Sequence, residues 1–193
     1  MKTFSRSLAI AILIMVGITA AFGQTCPYNS PESKTQRKAF SLLSPQTKVA
    51  IWQEHLAKQL ATRSLTQDQR KLIVQGKRMV TESLYDGRTA AKDFYETDLG
   101  KEFKQFQHDI KANFSANEGR EVFESLDAGV FSKYLPAGSF SLDDYPLDCN
   151  CSTYWTFCSN GWCGTCKGCT HVIDCGPFYG FECDGYCGTG CPH

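Results

Sequence analysis

Ten cysteines crowd the last 45 residues of this 193-residue chain: Cys149, Cys151, Cys158, Cys163, Cys166, Cys169, Cys175, Cys183, Cys187 and Cys191. Thiols this close together can close disulfides, bind a soft metal, or cycle as a redox pair. The spacing offers something to each. Cys163-x-x-Cys166-x-x-Cys169 has iron–sulfur-like spacing. Cys183, Cys187 and Cys191, with His171 and His193, can be drawn as zinc ligands. Cys163 and Cys166 also form a CxxC pair, without the βαβ pattern that makes such a pair convincing. Compartment decides among these, and the evidence for compartment lies at the other end of the chain.

Met1 to Ser7 carries Lys2 and Arg6 and no acid, and Leu8 to Ala21 is almost wholly apolar. Small residues follow at Ala21-Phe22-Gly23, giving the three-part pattern of a secretory signal peptide with cleavage after Gly23. The apolar run is shorter than the roughly 20 residues that span a bilayer. A secreted chain is expected to oxidise close thiols. All ten tail cysteines are therefore assigned to disulfides, with the pairing open and no metal or cofactor assigned. Cys26 makes the total odd. It is free, bridged to another chain, or paired with the tail at the expense of one tail thiol.

The tail has eight glycines and few aliphatic residues, so it needs staples in place of an ordinary core. Each disulfide is typically worth about 2–4 kcal/mol. Some tail rings are expected to lie against the disulfides and others to face solvent. Tyr154, Trp155, Trp162, Phe178, Tyr179, Phe181 and Tyr186 are the candidates for touching a target. Lys167 is the tail's only lysine or arginine, against Asp174, Glu182 and Asp184. That balance argues against bulk attraction to anionic membranes. It favours apolar insertion into a membrane surface, or a specific component of a target-cell envelope. A formal net charge of zero argues against nucleic acid.

What must carry the tail is a cysteine-poor stretch with helical signals. Ser30-Pro31 and Ser44-Pro45 place a capping hydroxyl before a proline suited to a first helical turn. Thr66 with Gln69, and Ser115 with Glu118, are capping boxes. Val49, Trp52, Leu56 and Leu60 share one helical face. Leu72, Ile73, Met79, Val80 and Leu84 make a second stripe, and Phe94, Tyr95 and Leu99 follow. Phe103, Phe106, Ile110 and Phe114 make another, and Val122, Phe123 and Leu126 close the series. The fold class predicted is an α-helical N-terminal segment, a small bundle, plus a small irregular disulfide-rich C-terminal module. The divisions are 1–23 signal peptide, 24–128 helical region and possible pro-region, 129–148 linker, and 149–193 cysteine-rich module. Seven acids between Glu118 and Asp148 read as a solvated stretch. His55 and His108 read as isolated surface residues. No HExxH, nucleophile elbow or phosphate loop occurs, so no catalytic residue is assigned and no enzyme is expected.

At Cys149-Asn150-Cys151-Ser152-Thr153, followed by Cys158, the tail resembles the fulvocin C family of bacteriocins, over roughly 40 residues. The order of signal peptide, helical region and cysteine module is similar to that of the longer fulvocin C-related proteins. Past Cys158 the spacings depart, with a tight 163/166/169 cluster. The resemblance implies secretion, disulfides and antibacterial activity, with the helical region as precursor; it carries over no connectivity and no target. No double-glycine or dibasic site precedes Cys149. The alternative expectation is therefore an intact two-part binding protein with no toxic or catalytic activity.

Overall fold

Short polar side chains set the helix starts. In a computed structural model, which describes residues 31–87, 93–134, 149, 151–152, 163–165 and 172–187, α1 is Pro31–Ser41 and α2 is Pro45–Thr62. The Ser44 side chain accepts from the Thr47 N–H at the head of α2. In α3, Gln67–Met79, Thr66 and Gln69 form both halves of a capping box. Thr97 caps α4, Asp98–Asn113. Ser115 and Glu118 repeat the box at α5, Ala116–Phe123. Each device satisfies backbone N–H groups that a helix start leaves without intrahelical acceptors. Two 3-10 turns, Glu82–Tyr85 and Phe94–Glu96, lie between α3 and α4.

The apolar stripes meet in one core. Ile51, Trp52, Leu56, Ile73, Phe103, Phe106, Ile110, Val122 and Phe123 are all essentially inaccessible to water. Val49 and Leu60 pack against the margin of this core, and Leu99 lies at the surface. No described helix is long and apolar enough to cross a membrane.

The stretch read as a linker begins with structure. Ala128–Phe131 forms a one-turn helix, α6, capped by Asp127, and Val130 and Phe131 are buried. Tyr134 donates to Glu54 at 3.0 Å. The packed helical region therefore runs at least to residue 134; residues 135–148 lie outside the described residues. Nor is the acidic stretch uniformly solvated, since Glu124 is buried and Asp127 pairs with Lys58 at 2.9 Å.

Among the described residues, the tail forms four short strands in two antiparallel ladders: β1 Cys163–Thr165 with β4 Gly185–Cys187, and β2 Val172–Cys175 with β3 Phe181–Cys183. The second ladder is an irregular hairpin nested in sequence inside the first, with its register broken between Val172 and Cys175. A 3-10 turn, Pro177–Tyr179, caps the hairpin. Cys151 bridges to Gly185, so the start of the module is tied to β4 by backbone hydrogen bonds.

Candidate functional site

The hairpin does not stand apart from the helices. Phe178 is 0%, Tyr179 3% and Phe181 2% exposed, and all three belong to the same apolar cluster as Trp52 and Phe103. Phe178 meets Trp52 edge-on at 5.6 Å and lies 6.0 Å from Phe123 and 6.1 Å from Phe106. Tyr179 packs edge-on between Trp52 and Phe40 at 5.3 and 5.2 Å. Phe181 contacts Phe103 at 5.3 Å and Phe94 at 5.9 Å. Burying one such ring is worth about 1.5–3 kcal/mol. These three residues were expected to be available to a target. The helical core covers them because it offers far more apolar surface than the tail's own disulfides.

The seat is shaped by small residues on both sides. A Cβ added at Gly76 on α3 would come within 3.0 Å of the Phe178 ring, and one added at Gly180 within 2.7 Å of Leu84. The hairpin tip itself adopts an unusual backbone. Asp174, Phe178 and Tyr179 have φ of 76°, 60° and 53°, and Gly176 has φ 68°. For side-chain-bearing residues this region costs on the order of 1–2 kcal/mol each. It persists where surrounding packing over-determines it, here the ring contacts just described.

Polar groups close the seam. The Tyr85 hydroxyl donates to the Phe178 carbonyl at 3.0 Å, and the Tyr179 hydroxyl to Gln36 at 3.3 Å. Lys48 on α2 reaches Asp174 on β2 at 3.5 Å, with side-chain exposures of 8% and 3%. The same ammonium lies over the rings of Phe40, at 5.1 Å, and Tyr85, at 5.6 Å. Arg37 on α1 donates from Nη1 to the Cys175 sulfur at 3.4 Å. Burial pushes the Asp174 carboxyl up to about 6 against the opposing pull of Lys48 and Arg37. Its second oxygen, Oδ2, has no hydrogen-bond partner. Burial, with the Asp174 charge adding to it, also pushes the Tyr85 hydroxyl up.

Cys175 and Cys183 are bridged, and both are fully buried. Cys149 and Cys151 are also disulfide-bonded. Cys163 and Cys187 face each other in the β1–β4 register, and Tyr186 lies opposite Gly164. Tyr154, Trp155, Cys158, Trp162, Cys166, Cys169 and Cys191 lie outside the described residues, as do Cys26 and residues 1–23. Among the described residues, no cluster of His, Cys, Asp and Glu could hold a metal ion.

His55 departs from its expected place at the surface. It is 1% exposed, with Nε2 at 3.1 Å from the Val122 carbonyl and Nδ1 accepting the Asp127 N–H. Those contacts fit a neutral imidazole protonated on Nε2, and burial lowers its pKa to about 4. His108 is exposed, as its position on a charged helix suggested.

Sequence reasoning missed Arg37, Lys48, Asp174 and Tyr85 as a group. One signal was present. Val172-Ile173-Asp174-Cys175-Gly176-Pro177-Phe178-Tyr179-Gly180-Phe181 is the most apolar run of the tail, and an acid inside such a run calls for a buried partner. No protein family matches the chain, and neither does any curated protein or any solved structure.

Proposed function

We propose that this is a secreted, non-catalytic interaction protein that works as one intact chain, with the helical region as permanent carrier of the cysteine-rich module. The observation that carries this is the burial of Phe178, Tyr179 and Phe181 in the helical core. Cutting near residue 148 and separating the parts would put three rings into water and leave a hole beside Trp52. The partner is a component of a cell envelope or a membrane surface, met by the tail. Tyr154, Trp155, Trp162 and Tyr186 are the contact candidates; Phe178, Tyr179 and Phe181 are taken up by the helical core.

Intact mass spectrometry of the secreted protein, alkylated with and without reduction, tests the reading. The expected species is residues 24–193, with one of eleven cysteines alkylated before reduction. A separate tail of roughly 45 residues as the abundant extracellular form would sink it.

A second reading has its own observation, the Cys149-Asn150-Cys151-Ser152-Thr153 opening. On that reading the protein is a fulvocin C-like bacteriocin and the tail is its antibacterial unit. The oxidised full chain then inhibits growth of some strain in a broad bacterial panel, and a tail-deleted chain does not. Inhibition by neither, across the panel, counts against it.

A further inference from the structure

We propose a second role for the helical region, independent of whether the tail is later released: it is the template on which the Cys175–Cys183 disulfide closes. Ten tail cysteines can be paired in on the order of a thousand ways. Local chain preference does not favour this pair. The segment between the two cysteines must hold Phe178 and Tyr179, bulky residues, at positive φ. The helical region removes that obstacle. Its core takes in the three rings, and Tyr85 fixes the Phe178 carbonyl at 3.0 Å. Once the rings are seated, the two strands carrying the cysteines are side by side, with their Cα atoms 5.0 Å apart. That separation lies within the range a disulfide spans.

Arg37 adds a chemical contribution. Its guanidinium, 3.4 Å from the Cys175 sulfur, favours the thiolate over the thiol in the reduced chain. While the hairpin is still open to solvent, the Cys175 thiol loses its proton and the thiolate attacks an external disulfide, releasing one oxidant thiolate; seating of the rings then brings Cys183 against the mixed disulfide. The Cys183 thiolate then attacks the Cys175 sulfur of the mixed disulfide. The Cys175–Cys183 bond forms and the second oxidant thiolate leaves. Two electrons and two protons pass from the cysteine pair to the oxidant.

The test is oxidative refolding of the reduced full-length chain in a glutathione buffer. Samples are quenched by alkylation and digested, and the Cys175–Cys183 peptide is quantified against time by mass spectrometry. Gly76→Ala crowds Phe178 from the helical side while improving the helix propensity of α3. Gly180→Ala crowds Leu84 from the tail side. Each is expected to slow closure about fivefold or more, with Cys175 trapped in other pairings. Arg37→Gln is expected to slow it about two- to threefold and to move the rate–pH profile to higher pH. Closure at the wild-type rate in both glycine variants, with helical content intact, overturns the proposal.

If a variant loses its helices, the wild-type chain decides. It is equilibrated with glutathione across a urea series, and the native pair must fall together with the helical signal. A Cys175–Cys183 fraction that persists after the helices melt overturns the template. Proteolytic release of the tail after secretion would overturn the proposed function and leave this one standing.

Discussion

The helical region and the cysteine-rich tail hide their rings from water by different means. In the helices, apolar residues recur on one face, and caps at Ser44, Thr66 and Ser115 satisfy the backbone within a few residues of where it starts. Sequence neighbours make the local structure, and packing follows. In the tail, the ladders are only three or four residues long, and the hairpin tip takes a backbone shape unfavourable to its own residues. Its rings are covered by Trp52, Phe40, Phe103, Phe106 and Phe123, more than fifty residues away in the chain. A module dense in disulfides is usually taken to be self-sufficient. Here the Cys175–Cys183 bridge holds two strands together, but the core of that hairpin belongs to the helices.

The sharpest way to break this comparison is Phe178→Ala. Removing a fully buried ring is expected to cost about 3–5 kcal/mol in denaturant unfolding. The loss should appear as one transition, followed equally by helix circular dichroism and by tail fluorescence. Two separated transitions would show the regions to be independent. Next comes the bridge. Replacing both Cys175 and Cys183 by Ala is expected to cost about 2–3 kcal/mol, because the closed loop is short. Helical content should remain, so a larger loss with melted helices would mean the helices depend on the tail more than the tail depends on them.

Acidity probes the two regions separately, with opposite signs. Asp174 in the tail has its pKa raised to about 6, so the folded state holds its proton more tightly than the unfolded state. Its contribution is full below the unfolded value near 3.8 and is lost as pH rises through about 6. His55 in the helices has its pKa lowered to about 4, so its contribution is full above 6.5 and is lost as pH falls towards 4. The stability of Asp174→Asn relative to wild type should therefore climb between pH 4 and 6, by on the order of 1–2 kcal/mol. Relative to the same reference, His55→Gln should fall as pH rises across that interval. Urea midpoints taken at several pH values check both slopes, and two slopes of the same sign would refute the assignment of the two groups. The smallest effect is local to the helices. Ser115→Ala removes one cap of α5 and should cost about 1 kcal/mol without changing the oxidation of the tail, as read by thiol alkylation.

The helices were legible because their signals are short-range. Pro45 behind Ser44, Gln69 behind Thr66 and Glu118 behind Ser115 each state a helix start within four residues, and the stripes behind them are buried apart from Val49 and Leu60, which lie at the margin of the core. The tail's wealth of cysteine was equally plain, and Cys149, Cys151, Cys175 and Cys183, among the described residues, are in disulfides. The seam was not legible. Phe178, Tyr179 and Phe181 look the same in sequence whether they face a membrane, a disulfide or another part of the chain. Nothing in the local pattern names Trp52 as the partner of the first two or Phe103 as that of the third. His55 and Lys48 were hidden for a related reason: each lies on a helix rich in polar residues, and burial comes from elements distant in sequence, α5 for the histidine and β2 for the lysine. The connector, read as starting at residue 129, begins later because Asp127 caps one further turn.

The missing side chain at Gly76 has a consequence for how such a chain can change over generations. A Cβ at this position would sit 3.0 Å from Phe178, 3.2 Å from Phe106 and 3.3 Å from Phe123, so a residue on the helix and a ring on the tail are tied to each other's size. The cysteine-rich end is therefore a poor cassette. Grafted onto another carrier by recombination, it would arrive with three sticky rings and no matching slot. Lineages carrying this hairpin should inherit both halves as a pair, with the small residue on the helix and the ring on the tail kept or lost in concert.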